Sequence, residues 1–170
     1  VPTDPAHFEV IRRLPERPRA SEWTPIRMTL LKADDQGRPH QRADLPWLGS
    51  EVLVLRDQAI EPVGGLLQSY GDVLPLQCEG ARLALFSAQA VAGVLDEEHS
   101  DMVRFSSGRI MALRSPAFHT AALGDRQAFK LAEMPRGDLY ITEQLVEAIR
   151  ATGMTSGTDF IPVDVESHRR

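Results

Sequence analysis

Residues 71–100, GDVLPLQCEGARLALFSAQAVAGVLDEEHS, constrain the fold more than any other stretch, because they set the densest apolar run beside the densest acidic cluster. Within them residues 72–77 and 82–87 read as two short strands, and Cys78-Glu79-Gly80-Ala81 between them suits a hairpin turn with glycine near its tip. In the second strand Leu83 and Leu85 share one face, while Ala84 and Phe86 share the other. A strand apolar on both faces belongs inside a sheet that is covered on both sides. Residues 51–55 repeat the pattern, with Val52 and Val54 opposite Leu53 and Leu55.

After the second strand, Ser87 reads as the N-cap of a short helix through Leu95, with Val91, Val94 and Leu95 on its buried stripe. The chain then turns polar at once. Asp96, Glu97, Glu98 and Asp101 place four carboxylates within six residues, together with His99. The plain reading is a solvated turn at a helix end, where carboxylates oppose the macrodipole by roughly 0.3 kcal/mol or more. The functional reading is a charged edge that docks a partner; the third is a metal or acid–base site.

Elsewhere the local signals are shorter. Pro2, Pro5, Pro15 and Pro18 prevent a long helix in residues 1–20, which read as an extended arm lying on the body. Ile26, Met28 and Leu30 alternate with Arg27 and Thr29 in a strand over residues 26–32. Residues 34–39, DDQGRP, form a surface loop, and Asp34, Asp35 and His40 lack the full ligand set of a metal site. Trp23 and Trp47 lie among prolines and read as core anchors that lock loops. Asp57 reads as the cap of a helix running to Tyr70, with a break or a tight 3₁₀ turn near Pro62 and an end before Gly71. The Gly64-Gly65 pair lacks the flanks of a phosphate loop.

Beyond the acidic turn, residues 102–106 and 109–114 form a hairpin about Ser106-Ser107-Gly108. Residues 118–123 allow one helical turn, and residues 128–131 a short strand. Pro135-Arg136-Gly137-Asp138 is a turn before Leu139-Tyr140-Ile141. Thr142 then caps the clearest helix of the chain, buried through Leu145, Val146 and Ile149, with Gly153 just past its end. Residues 158–165 are expected to close the sheet around Phe160, and residues 167–170 to fray.

The expected class is therefore α+β: one domain with a mixed, mainly antiparallel sheet and a few packed helices. Residues 1–46 supply an arm and the first strand of this fold, residues 47–166 its core. At 170 residues, with 42% hydrophobic and 25% charged side chains, the chain can bury an ordinary core without staples. A single cysteine excludes an internal disulfide, and the lack of a signal-like or membrane-length segment reads as cytosolic, without a membrane partner. A net charge of -5 argues against nucleic acid and for a basic protein partner. The 17 arginines and 2 lysines are spread along the chain and form no phosphate-binding patch.

Catalytic patterns are missing. Cys78 sits beside a strand without a nearby histidine and reads as a buried, inert thiol. No serine lies in a nucleophile elbow, and no Walker-type loop or dinucleotide fingerprint is present. His7, His40, His99, His119 and His168 are isolated in sequence. No catalytic residue, metal site or cofactor is assigned.

From Trp47 onward the order of motifs resembles immunity protein family eleven, a family of bacterial proteins that protect against polymorphic toxins. The resemblance rests on Gly71-Asp72-Val73-Leu74-Pro75-Leu76, Val94-Leu95-Asp96-Glu97-Glu98-His99-Ser100, Phe129-Lys130-Leu131, Leu139-Tyr140-Ile141-Thr142 and the Gly153 to Phe160 end, spanning two thirds of the chain. That end is longer than the glycine-containing turn of the family, and the proline-rich N-terminal part has no counterpart there. The resemblance implies a non-catalytic antitoxin that binds a secreted or contact-delivered toxin domain and occludes or distorts its active site. Clustering assigns Asp96, Glu97, Glu98 and Asp101 to the toxin-binding edge. The alternatives are an enzyme that reverses the toxin's modification, such as an ADP-ribosyl hydrolase using Asp96, Glu97 and Glu98, and an adaptor of a toxin secretion system.

Overall fold

Phe86 and Leu85, neighbours in sequence, are both fully buried and lie in different hydrophobic cores, as a strand covered on both faces requires. The computed structural model describes residues 1–16 and 20–163. The strand holding the pair, β4 (Leu83–Ala88), lies inside a four-stranded sheet with β1 (Arg27–Met28), β2 (Leu53–Arg56) and β3 (Gly71–Cys78), in the order β1-β3-β4-β2. β4 is antiparallel to both neighbours, and β1 joins β3 in parallel. The β3–β4 turn is the expected hairpin, with Gly80 at φ 79°.

One face of this sheet, through Leu53, Leu55, Ala84 and Phe86, packs on α2 (Ile60–Leu67) and α3 (Glu143–Ala151). The other, through Val52, Val54, Leu83 and Leu85, is covered by the N-terminal segment with Ile11, Ile26 and Met28. Trp23 anchors there as expected, its indole N–H donating to the Pro75 carbonyl at 2.7 Å. A third core holds Val91, Val94, Leu95, Leu123, Phe129 and Leu131. It lies against a three-stranded sheet of β5 (Ala90–Val91), β8 (Ala128–Leu131) and β9 (Tyr140–Ile141), in the order β5-β8-β9. A separate ribbon of β6 (Asp101–Arg104) and β7 (Ile110–Ser115) closes this core through Met102, Ile110 and Leu113. The fold is thus α+β and mainly antiparallel, with its strands divided among three sheets.

Several local expectations are corrected. Residues 87–95 form no helix: β4 continues through Ser87 to Ala88, and β5 follows. The strand wins because β8 offers β5 a parallel partner, while Val91, Val94 and Leu95 still reach a core. The N-terminal arm contains α1 (His7–Arg12), a helix short enough to fit between Pro5 and Pro15; Pro18 lies outside the described residues. Only Arg27 and Met28 of the expected first strand pair with β3.

Of the two outcomes expected near Pro62 the 3₁₀ entry is the one found, over Asp57–Ala59, and it leads directly into α2, which Pro62 does not break. Pro62 sits in the first turn, where the missing N–H has no intrahelical partner to lose. Asp57 does not cap that helix either. It takes φ 50°, and its carboxylate accepts from the Arg82 N–H at 2.9 Å, Arg42 at 3.0 Å and Arg56 at 3.2 Å. Residues 158–163 form no closing strand; Phe160 still packs on the first core, and residues 164–170 lie outside the described residues. Trp47 is 65% exposed and anchors no core. Thr142 caps α3 as expected, accepting from the Leu145 N–H at 3.4 Å, and Gly153 follows at φ 72°.

Candidate functional site

The acidic turn is built on its first residue. Asp96 Oδ1 accepts from the backbone N–H groups of Glu98 and His99, each at 3.2 Å, so one carboxylate oxygen closes the turn. Its Oδ2 lies 2.9 Å from His99 Nδ1 and 3.7 Å from His119 Nδ1. Ser100 Oγ donates to the Asp96 carbonyl and accepts from the Ala117 N–H at 2.8 Å. The Asp96 N–H donates to the Ala117 carbonyl at 2.9 Å, and the His119 N–H to Val94 at 2.8 Å. Residues 117–119 therefore brace the turn from beneath, and Phe118 stands edge-on to Phe129 and Tyr140 in the third core.

This geometry divides the four carboxylates. Asp96 is mostly enclosed, with its side chain 16% exposed, and spends its oxygens on the turn. Glu97 is outside but ion-paired with Arg104 at 2.6 Å. Glu98 and Asp101 are exposed and make no ion pair among the described residues. A shallow depression runs from Gly93 and Leu95 past this turn to Glu133, whose carboxylate accepts from the Gly93 N–H at 3.4 Å. The ribbon beside it exposes Phe105 and Met111, 46% and 50% accessible, with Arg109 over the Phe105 ring. The register skips Met111 and Arg114 on β7, bulges that bend the ribbon.

Sequence spacing did not bring His119 or Glu133 to the site. His119 stands twenty positions from His99, and these two of the five isolated histidines meet across one carboxylate. The antiparallel bridge of Leu95 with Phe118 brings them together, and no spacing in the sequence signals it. Among the described residues no group of three or more His, Cys, Asp or Glu side chains is arranged to hold a metal ion. Cys78 is half-buried, its Sγ 3.6 Å from the Glu79 carbonyl.

Burial pushes the Asp96 carboxyl upward, but the His99 side-chain and backbone hydrogen bonds and the charges of His119 and His99 outweigh it, leaving its pKa below the ordinary value. The folded state thus holds this proton less tightly than the unfolded chain, and the stability gained is present above pH of about 4 and lost as the pH falls through the folded value. Asp96→Asn should remove that acid-side loss. In urea titrations between pH 6 and 3, the stability gap between the native protein and the variant should narrow with acidification; a constant gap would assign the loss to other carboxylates.

No protein-family model matches the chain, and no curated protein matches it. Among the described residues no helix is long and apolar enough to cross a membrane.

Proposed function

We propose that the chain is an immunity protein, which binds a toxin domain through the acidic turn and blocks or distorts that domain's active site. The observation that carries this reading is the division of labour in the turn. Asp96 and Ser100 hold the backbone while the exposed side chains of Glu98 and Asp101 make no ion pair among the described residues. A braced turn meets a basic surface without first having to order its backbone. Phe105 and Met111 supply apolar area close by, of the kind that slows dissociation. The motif order from Gly71 to Phe160 is the second support.

Two charge reversals test it. Glu98→Lys with Asp101→Lys should weaken binding to the toxin roughly tenfold or more, chiefly through a slower association rate that loses its salt dependence. The assay is co-purification and growth rescue with the product of a neighbouring toxin-like gene, with Glu79→Lys, exposed in the β3–β4 turn of the four-stranded sheet, as a surface control. Unchanged binding and rescue would remove the acidic turn from the interface. The pairing of Asp96 with His99 and His119 favours a second reading, an enzyme that reverses the toxin's modification, because a carboxylate-oriented histidine is a common general base. Growth rescue without a complex, abolished by His99→Ala, would select it.

A further inference from the structure

Lys130 is the one buried charged side chain among the described residues. It lies in the middle of β8, and its Nζ donates to the Gly137 carbonyl at 2.9 Å and the Pro135 carbonyl at 3.3 Å. No carboxylate stands within ion-pair distance of it among the described residues. Both acceptors belong to residues 132–138, the loop that follows β8 and crosses back over the lysine. None of those seven residues is itself buried. The loop is held by a few main-chain bonds, the Ala132 N–H to Val91 at 3.1 Å, the Met134 N–H to Leu131 at 3.0 Å and the Gly137 N–H to Met134 at 2.8 Å, and by the half-buried Met134 side chain on the third core. Arg136 reaches Glu9 of α1 at 3.6 Å, and Glu133 reaches the rim of the acidic depression.

We propose that residues 132–138 form a strap that opens with Lys130 protonated: opening carries the buried ammonium into water, so the strap is loosest at neutral pH and tightens as the pH rises. The reason is solvation. An ammonium whose only hydrogen bonds are to two neutral carbonyls has surrendered its hydration without gaining an ion pair in contact, the Glu51 and Asp138 carboxylates acting only from a distance. A thinly packed segment is also the first part of a fold to open. Burial pushes the Lys130 pKa down to about 8, against the pull of the Glu51 and Asp138 carboxylates. Of the other groups nearby, Tyr140 stays neutral because burial raises it to about 12, Arg12 lies 3.7 Å from Glu51, and Arg136 lies on Glu9.

The sign follows from linkage. The open strap, with a hydrated lysine, keeps its proton to higher pH than the closed one. Between pH 8 and the solvated lysine value of 10.5, rising pH therefore closes the strap. Because Glu133 rides on it, the same motion reshapes the acidic depression.

The chain has only two lysines, so protein carrying ¹³C-lysine gives two side-chain signals, with Lys32 as the internal reference. Lys130 should titrate near pH 8. Millisecond hydrogen exchange, corrected for intrinsic rates, should show protection of the Met134 and Gly137 amides rising by about a hundredfold between pH 8 and 10.5, relative to Val146 in α3. In Lys130→Met that rise should vanish. A Lys130 signal still protonated at pH 10, or Met134 and Gly137 protection that tracks Val146 throughout, overturns the proposal; the native protein alone decides this if the variant does not fold.

Discussion

Gly71→Ala should destabilise the protein by about 3 kcal/mol, while Gly65→Ala, six residues earlier, should stabilise it by about 1 kcal/mol. Gly71 opens β3 opposite Ala88 of β4. A Cβ there would stand 2.8 Å from the Ala88 Cα and 2.9 Å from the Phe86 ring, and closer still to the Ser87 carbonyl oxygen. Two of these obstacles are backbone atoms, so no rotamer change makes room. The strands would have to part at the end of the longest ladder in the sheet, beside the fully buried Phe86. Gly65 lies in α2 with nothing within 4 Å of an added Cβ, so alanine there brings only its better helix propensity. Chemical denaturation of the two variants beside the native protein measures both effects. A neutral Gly71→Ala would mean that the strand end is free to shift.

Lys130→Ala should cost about 3 kcal/mol at neutral pH, because it empties a core position and leaves the Pro135 and Gly137 carbonyls without their donor. Lys130→Met fills most of the same volume without a charge and should stay within about 1 kcal/mol of the native protein. The pH dependence separates the two terms. The folded protein releases the Lys130 proton near pH 8, whereas the unfolded chain keeps it to 10.5, so between those values the unfolded state binds more protons. Stability therefore rises over this window, by about 3 kcal/mol relative to Lys130→Met. Tyr140 acts in the opposite sense at higher pH. The unfolded phenol ionises near 10 and the folded one near 12, so its contribution falls across that interval. Denaturation midpoints from pH 7 to 11 should thus pass through a maximum near pH 10, and a native protein that parallels Lys130→Met throughout would refute the assignment.

Both positions carry little signal in the chain itself. Gly71 reads as the end of the preceding helix, a common use of glycine, and the helix does end at Leu67. Its stricter role depends on Ser87 and Ala88, which only sheet pairing brings against it. Lys130 alternates with Phe129 and Leu131 as a residue of a wet face would, yet every residue of β8 is buried, because the strand lies between β5 and β9 and the strap covers it.

Patterns that act over two to five residues determined much of this protein directly. The two-faced apolar strands, the hairpins at Gly80 and Gly108, and the Thr142 cap of α3 each follow from a local steric or hydrogen-bonding preference, and the tertiary fold has no reason to override them. Where the local preference is weak or divided, the fold decides. Residues 87–95 satisfy a helical stripe as well as a strand, and the free edge of β8 selects the strand. The acidic turn was legible as a turn, but which carboxylates face outward was not. That depends on His119 and Ala117, brought from the far side of the β6–β7 ribbon to meet Asp96, and contacts between distant segments leave no periodicity in the chain.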